Sequence, residues 1–366
     1  MKRRHFLQTG LLALPGLSPL AAGDLEKLEA AATILETAAD SGQVHAASLF
    51  VQQGDTIFAE SFGAASPSVD SIFLLASITK PICIAAVMAL HEQGEFELDD
   101  PAIRFIPEFK GKGRETITIR QLMTHVSGLP DQLPQNANLR SQHADLSEFV
   151  DGAIRTPLLF EPGTKYSYSS MGILLATELA QRITGKPIAE LVNIAVYEPL
   201  GMKHSALGAG SFPLDSLMKC QVGTAAPESG AGDPTTKSWD WNSRYWRELG
   251  VPWGGAHGSA SDVGKFLRAF LQPDVDFLKE NTARMMIRNQ NAAGIRPRGL
   301  GFDVGSIPGS PGNETTFGHT GSTGTICWAD PNSDTTCVVL TTLPAKVGDQ
   351  AHPRHMASQC VADSIG

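Results

Sequence analysis

The 366-residue chain contains enough apolar sequence for one large domain or two subdomains, since 42% of its residues are hydrophobic and 18% are charged. This hydrophobic content excludes a disordered chain. The formal net charge of −9 at pH 7 argues against nucleic acid as a partner, because an acidic surface repels phosphate backbones.

The first 23 residues predict an export signal. Basic residues at positions 2–4 precede a mildly apolar run at 9–22, which ends on small residues. The paired arginines followed by Phe-Leu resemble a twin-arginine signal, so we expect export to the bacterial periplasm or the extracellular space. The alternative is a basic tail before a short buried helix. No later stretch reaches about 18 uninterrupted apolar residues, so we expect no integral membrane segment after signal removal.

Downstream of the signal, apolar periodicity predicts strands at both ends of the chain and helices between them. The N-terminal half predicts a helix at 24–40, a hairpin at 47–52 and 56–62, and helices at 77–93, 119–124, 146–155 and 171–183. The C-terminal part predicts a helix at 261–271, strands at 301–306, 324–329 and 335–342, and a last helix at 352–362.

This order predicts an α/β (α+β) fold with an antiparallel sheet flanked by helices and built from both termini. Residues 24–366 would form a single domain. Its sheet subdomain would comprise 24–76 and 255–366, and a mainly helical subdomain would be inserted at 77–254.

Two segments of the inserted part lack clear periodicity. Residues 209–236 are rich in Gly, Ala, Pro and Ser, which predicts a long surface loop. Aromatic residues then cluster between positions 239 and 253, where four of the five tryptophans lie. We interpret this cluster as core and loop packing in preference to a substrate wall.

The five cysteines show neither a C-x-x-C pair nor a histidine at zinc-ligand spacing, so we expect no metal site. Two of them, Cys327 and Cys337, fall on consecutive predicted strands. A five-residue turn at 330–334 would place them directly opposite each other, at a separation that a disulfide accepts. Two buried thiols are the alternative.

The first motif with chemical content is Ser77-Ile78-Thr79-Lys80 at the start of a predicted helix. Positions three residues apart share a helix face, so the hydroxyl and the amine can meet. A serine needs an adjacent base to act as a nucleophile. A lysine becomes such a base only when burial or a nearby cation lowers its pKa from about 10.4. Taken alone, the pattern also fits a solvated helix start.

Two later motifs carry groups that can assist such a nucleophile. Tyr168 lies in the stretch 166–170 after a Pro-Gly joint, and a phenol can shuttle protons when cations stabilise its phenolate. Residues 318–322 read Gly-His-Thr-Gly-Ser, where glycines let an edge strand approach a ligand and an exposed N–H can stabilise an oxyanion. Each motif alone also fits an ordinary loop.

Together and in this order, the three motifs resemble the serine hydrolase family that contains class C β-lactamases, D,D-carboxypeptidases, D-aminopeptidases and related esterases. The resemblance covers most of the chain and implies a β-lactamase/transpeptidase-like fold and a hydrolase that works through an acyl-enzyme. Further segments that carry it are Phe73 to Pro81, Leu98-Asp99-Asp100-Pro101, Ile119 to Leu129, Glu198-Pro199-Leu200-Gly201-Met202 and Pro252-Trp253-Gly254-Gly255.

By this resemblance Ser77 is the nucleophile, and Lys80 and Tyr168 are its acid/base partners. His125, within the segment at 119–129, is expected to be a structural histidine at a helix end. The resemblance assigns the oxyanion hole and the substrate contacts to a larger set, the backbone N–H groups of Ser77 and Ser322 together with Ser170, His319, Thr320 and Gly321.

Two departures from the lactamase pattern concern the substrate. Ser170 stands where the Y-x-N motif has Asn, so an amide that would bond the substrate and the lysine is missing. His319 stands where the K-T-G motif has Lys, which replaces a permanent cation by a group charged only below about pH 6.5. Both changes favour ester or peptide-like substrates over efficient β-lactam hydrolysis.

We therefore expect a small-molecule or peptide substrate with an ester or amide bond, and no cofactor. An α/β-hydrolase is disfavoured, because no serine lies in a G-x-S-x-G context. The alternative is a catalytically silent penicillin-recognising or cell-wall-binding relative. The presence of Ser77, Lys80 and Tyr168 favours the enzyme.

Overall fold

The computed structural model describes residues 22–66, 68–273, 276–346 and 348–365. The predicted export signal, residues 1–23, lies outside these ranges apart from Ala22 and Gly23, with which the first helix begins. Within the described ranges, no helix combines the length and the apolar character needed to cross a membrane.

The α-helices of the described residues are α1 (Ala22–Asp40), α2 (Thr79–Glu92), α3 (Ile119–Met123), α4 (Asn136–Ser141), α5 (Leu146–Arg155), α6 (Ser170–Thr184), α7 (Ile188–Val192), α8 (Arg244–Leu249), α9 (Ala260–Leu271), α10 (Glu280–Met286) and α11 (Pro353–Ser364). The strands are β1 (Ala46–Gln53), β2 (Thr56–Gly63), β3 (Phe73–Leu74), β4 (Ser205–Leu207), β5 (Ala256–Gly258), β6 (Asp303–Val304), β7 (Phe317–Gly321), β8 (Thr325–Asp330) and β9 (Thr335–Thr341).

The larger sheet has the strand order β2-β1-β9-β8-β7-β6, and every adjacent pair is antiparallel. Helices α1 and α11 cover one face, where Leu35 and Val361 belong to the same core as Val339. The opposite face contributes Phe50 and Val338 to the core of the helical part. Strands from both ends of the chain meet where β1 pairs with β9. This is the antiparallel sheet, flanked by helices, that the sequence predicts.

A second, three-stranded sheet in the order β3-β5-β4 is not predicted from the sequence, because its strands are only two or three residues long. Phe73 and Leu74 pair with Gly258 and His257. The small sheet therefore anchors the segment that leads into α2 against the segment that follows the tryptophan cluster.

Most predicted elements occur within a few residues of the expected bounds. Helix α6 begins at Ser170 because the Ser169 side chain accepts a hydrogen bond from the Gly172 amide and caps the helix. The strand predicted at 301–306 is reduced to β6, since Gly301 and Gly305 have φ angles of 80° and 78° that interrupt an extended backbone. The Gly-His-Thr-Gly segment, expected to precede a strand, lies on β7 itself.

The predicted opposition of Cys327 and Cys337 is wrong. Trp328 is the partner of Cys337, because Asp330 pairs with Thr335 and the turn between them has four residues. A shift of one residue moves a side chain to the other face of a strand. Cys327 therefore packs in the core of the helical part and Cys337 in the core beneath α1 and α11. The predicted disulfide is absent, and all five cysteines are free thiols.

The thiols of the protein provide a test of this register. We expect five titratable thiols in the denatured, unreduced protein, and one fast-reacting thiol in the native protein. Four cysteines are buried and only Cys360 is partly exposed, and burial raises the pKa of Cys327 to about 12. Titration with an aromatic disulfide reagent checks both numbers, and Cys360→Ser should remove the fast phase. A count of three thiols in the denatured protein would show that the Cys327–Cys337 disulfide is formed.

Candidate active site

All eight residues that the sequence assigns to the site line one cavity of ≈ 410 Å³. Strand β7 contributes to one wall, and the starts of α2 and α6 contribute to the other. The cavity thus lies where the sheet meets the inserted helical part. The eight residues are Ser77, Lys80, Tyr168, Ser170, His319, Thr320, Gly321 and Ser322.

Ser77 lies in a single 3-10 turn between β3 and α2. The Leu75 amide donates to the Ala256 carbonyl at 2.8 Å, and the Ala256 amide donates to the Thr79 hydroxyl at 2.9 Å. Between these anchors Ala76 has a φ of 48°, a conformation that alanine rarely adopts. Strain of this kind persists only where the surrounding structure enforces it, and here it lies directly before the candidate nucleophile.

Lys80 is buried with its amine against Ser77. The Nζ atom lies 3.1 Å from Ser77 Oγ and donates to the Trp253 carbonyl at 2.6 Å. The pKa of Lys80 is lowered to about 7. Burial is the main cause, Asp131 opposes it, and Arg298 acts in the same direction as burial. A large fraction of Lys80 is therefore neutral near pH 7 and able to accept the serine proton.

Tyr168 precedes α6, and its ring centroid lies 4.8 Å from the Lys80 amine. Burial raises the pKa of Tyr168 above its usual value of 10, and Arg298 and interaction with the Ser77 side chain only partly offset this effect. The phenol is therefore protonated when the amine of Lys80 is not. Lys80 is the group placed to act as base, and Tyr168 is placed to pass protons on.

His125 positions this tyrosine. It follows α3 with a φ of 64°, and its Nδ1 accepts a hydrogen bond from the Ser169 amide at 3.1 Å. Its ring centroid lies 4.6 Å from that of Tyr168. Burial lowers the pKa of His125 well below its usual value, so the imidazole is neutral. The structural role expected for His125 is thus one of support for the site.

The prediction that His319 is charged below about pH 6.5 is wrong. Arg298 Nη2 lies 2.7 Å from His319 Nε2, and a guanidinium can only donate, so Nε2 accepts. The proton is then on Nδ1, which donates to the Thr320 carbonyl at 2.7 Å. Burial and Arg298 lower the pKa of His319 to about 3. The permanent cation is Arg298, which in turn pairs with Asp303.

Ser170, which replaces the expected Asn, is engaged by Asp131. The backbone amide and the hydroxyl of Ser170 both donate to Asp131 Oδ1, at 3.0 and 2.5 Å. Asp131 also lines the cavity. A carboxylate in this position raises the pKa of Lys80, which limits the effect of burial.

The outer edge of β7 is open toward the cavity, because β6 pairs only with Phe317 and Gly318. A Cβ atom on Gly321 would lie 2.5 Å from the Leu75 carbonyl oxygen, so only glycine permits this approach. The Thr323 and Thr325 hydroxyls donate to the carbonyls of Leu74 and Leu75 at 2.7 and 2.9 Å. These contacts hold the turn that carries Ser322 beside Ser77.

Sequence reasoning missed Arg298 and Asp131. For the tryptophan cluster it preferred core packing to a substrate wall, whereas Trp241, Trp246 and Trp253 line the cavity. Arg298 lies in a loop with no recognised motif, although two arginines and a Gly-Leu-Gly sequence occur there. Asp131 follows the segment at 119–129 by two residues. The predicted surface loop at 209–236 also contributes to the wall, through Glu228 and the buried Ser229.

Comparison with known proteins adds family information to this geometry. The model of the β-lactamase family matches residues 31–360. Esterase EstB of Burkholderia gladioli is 29% identical over 319 residues, which cover 78% of this chain and 80% of that protein.

Two solved structures share the fold. The first is EstCE1, described as a hydrolase with promiscuous acyltransferase activity; it has a TM-score of 0.73 and 19% identity, over 93% of this chain and 100% of that chain. The second is the D-amino acid amidase of Ochrobactrum anthropi SV3, with a TM-score of 0.72 and 23% identity over 93% of this chain and 99% of that chain.

The environment of Lys80 predicts the pH dependence of any reaction at Ser77. We expect kcat/KM for a neutral ester to rise through one ionisation near pH 7 and to level off above it, because only the neutral amine accepts the serine proton. His319, with a pKa of about 3, adds no ionisation between pH 5 and 9. A profile that is flat down to pH 5, or a rise centred near pH 10, would contradict this environment. Lys80→Arg, which stays charged throughout, should be inactive at every pH.

The contact of His319 with Arg298 predicts the effect of restoring a lysine on β7. We expect His319→Lys to lower the free energy of unfolding by about 3–5 kcal/mol, because a second cation would be buried against the guanidinium. His319→Gln is the matched control, since its amide oxygen can accept from Arg298 and should cost only about 1 kcal/mol. Urea unfolding measures both. If His319→Lys unfolds with the same free energy as the wild type, the site accepts a second cation and the prediction is wrong.

Proposed function

Since this chain belongs to the β-lactamase family, we propose that it is a serine hydrolase that cleaves ester or amide bonds through an acyl-enzyme on Ser77. One observation carries the assignment to Ser77. Its hydroxyl lies 3.1 Å from a buried lysine amine whose pKa is lowered to about 7, and the ring of Tyr168 lies beside the same amine.

In the first half-reaction, Ser77 Oγ attacks the substrate carbonyl carbon while neutral Lys80 takes the hydroxyl proton. The negative charge on the carbonyl oxygen is stabilised by the backbone N–H groups of Ser77 and Ser322. The bond from carbon to the leaving group then breaks. The leaving oxygen or nitrogen takes its proton from Tyr168, which is reprotonated by Lys80.

In the second half-reaction, water attacks the acyl carbon. Its proton passes through Tyr168 to Lys80, and the ester bond to Ser77 Oγ breaks. Oγ then recovers a proton from the ammonium, so the neutral amine and the free hydroxyl are restored. Because Tyr168 returns every proton that it takes, its raised pKa is compatible with a relay that never holds a lasting phenolate.

The substrate class follows from the charges at the open edge of β7. His319 is neutral, and the buried Arg298 is neutralised by Asp303. A substrate carboxylate would find no unpaired cation on this strand. Arg296 and Lys346 also line the cavity, but both are exposed to solvent, which screens their charge. Neutral esters and amides are therefore the preferred substrates over β-lactams. The names of the compared proteins, an esterase and a D-amino acid amidase, support the same bond types.

A silent binding protein is the alternative, and the geometry disfavours it. Burying an ammonium beside Ser77 is energetically unfavourable, and a protein that only bound ligands would not need a lysine whose pKa is lowered to about 7.

The basic and apolar pattern of residues 1–23 supports a second part of the proposal, export through a twin-arginine signal to the periplasm or the extracellular space.

Two substitutions test the assigned roles. Ser77→Ala should abolish turnover and labelling by a fluorophosphonate probe. Tyr168→Phe should lower kcat by about two to four orders of magnitude, the usual scale for lost proton transfer. Tyr197→Phe is the control, since Tyr197 is buried, lies outside the cavity and has a hydroxyl without a partner among the described residues. If the two phenylalanine variants retain equal activity, the role of Tyr168 is wrong.

A further inference from the structure

We propose that Arg140 is a specificity-determining positioning residue, which holds Trp246 and the neighbouring backbone in place, so that three tryptophans form the wall of an acyl pocket for a large, flat, apolar acyl group. The inference rests on the proposed function and names the substrate class for the same site. It depends on the contacts of the tryptophan cluster, on the hydrogen bonds and ring contacts of Arg140, and on which half of a substrate each side of the cavity can hold.

The tryptophan cluster lines the catalytic cavity as well as packing the core. Trp241, Trp246 and Trp253 all line it, with exposed fractions of 5%, 4% and 4%. The carbonyl of Trp253 binds the Lys80 amine, so this wall begins next to the reacting serine. Aromatic side chains are large, apolar and flat, and a wall built from them favours a ligand of the same shape.

Arg140, on α4, lines the same cavity and packs against this wall. Its Nη1 donates to the Glu228 carbonyl at 2.5 Å and its Nη2 to the Trp239 carbonyl at 3.1 Å. The guanidinium carbon lies 3.8 Å from the ring centroid of Trp246 and 5.1 Å from that of Trp239. One side chain thus fixes two irregular segments of backbone and orients one of the cavity tryptophans.

The residues that flank Arg140 add to this attachment. The Asn136 amide also reaches the Glu228 carbonyl, at 3.4 Å. After α4, the Ala144 carbonyl accepts from the Tyr245 hydroxyl at 2.9 Å, and the His143 ring stacks on Tyr245 at 4.7 Å. Segment 136–144 therefore contacts segment 228–246, which ends in the first turn of α8, at several points.

A buried guanidinium bound to carbonyls is also a general stabilising device in this chain, which supplies a control. Arg114 is buried, and it donates to the carbonyls of Gly111, Arg155 and Thr156. It does not line the cavity. Loss of Arg114 therefore removes a comparable set of hydrogen bonds without touching the tryptophan wall.

The two sides of the cavity differ in what they can hold. The acyl group stays on Ser77 after the first step, whereas the leaving group must depart into solvent. On the sheet side the lining residues Arg296 and Lys346 are exposed, whereas on the other side the three tryptophans are buried and the exposed Glu228 lies beside them. The enclosed tryptophan side suits the half that stays, so the wall assigns its preference to the acyl group.

The experiment compares 4-nitrophenyl phenylacetate with 4-nitrophenyl acetate, which share a leaving group and differ in the acyl group. We expect the wild-type kcat/KM for phenylacetate to exceed that for acetate by about tenfold or more, the scale of burying a phenyl ring. Arg140→Met should lower this ratio at least about fivefold, because methionine keeps the apolar part of the side chain and removes the guanidinium that binds the Glu228 and Trp239 carbonyls. Arg114→Met should leave the ratio unchanged, and circular dichroism checks that each variant is folded.

Tyr245→Phe is a milder variant that decides the question if Arg140→Met does not fold. It removes one hydrogen bond between the two segments, and we expect the ratio to fall about two- to threefold. A wild-type ratio near one overturns the proposal, as does a ratio that neither variant changes or that Arg114→Met lowers equally. If Ser77 takes the fluorophosphonate label, such a result fails the acyl pocket alone. The absence of both labelling and turnover fails the proposed function.

Discussion

The burial of the Lys80 amine is the constraint on which the rest of the site depends. Removing an ammonium from water is unfavourable, and proteins accommodate it by lowering the pKa until the group can be neutral. The two acceptors of Lys80, Ser77 Oγ and the Trp253 carbonyl, come from different segments of the chain. Both segments must therefore be fixed before the lysine can be buried. The three-stranded sheet fixes them, since β3 leads into Ser77 and β5 follows Trp253.

Arg298 supplies the second electrostatic constraint. It lies close enough to Tyr168 to offset part of the effect of burial on the phenol, and it also lowers the pKa of Lys80. Its bond to His319 fixes one tautomer of the imidazole, and Asp303 neutralises its charge within the core. In the K-T-G pattern a permanent cation stands on the strand, whereas in this chain it stands on the preceding loop. Arg298 and His319 line the same cavity and are in direct contact.

The motifs and the long elements could be predicted from sequence because they depend on local patterns. The spacing of Ser77 and Lys80 survives although the serine lies in a 3-10 turn before the helix, because both geometries bring positions i and i+3 together. The pairing of Cys327 could not be predicted in the same way. It depends on whether the turn has four or five residues. The four-residue turn is stabilised by the Asp330 carboxylate, which accepts from the Ser333 hydroxyl at 2.8 Å.

Arg298 and Arg140 were beyond sequence reasoning for a related reason. Arg140 binds the backbone carbonyls of Glu228 and Trp239, which are far away in the chain and leave no trace in residue type. Arg298 binds Gly301 and Asp303 nearby, but its contact with His319 joins two segments that are 21 residues apart. The reacting groups lie at the start of α2 and before α6, while the wall facing them is built from α8 and the segments around it, to which an arginine on α4 binds. Apart from the Trp253 carbonyl, which binds Lys80, the two depend on different hydrogen bonds. The shape of the acyl pocket can therefore change through residues such as Asn136 or Tyr245 while the contacts of Ser77, Lys80 and Tyr168 stay intact.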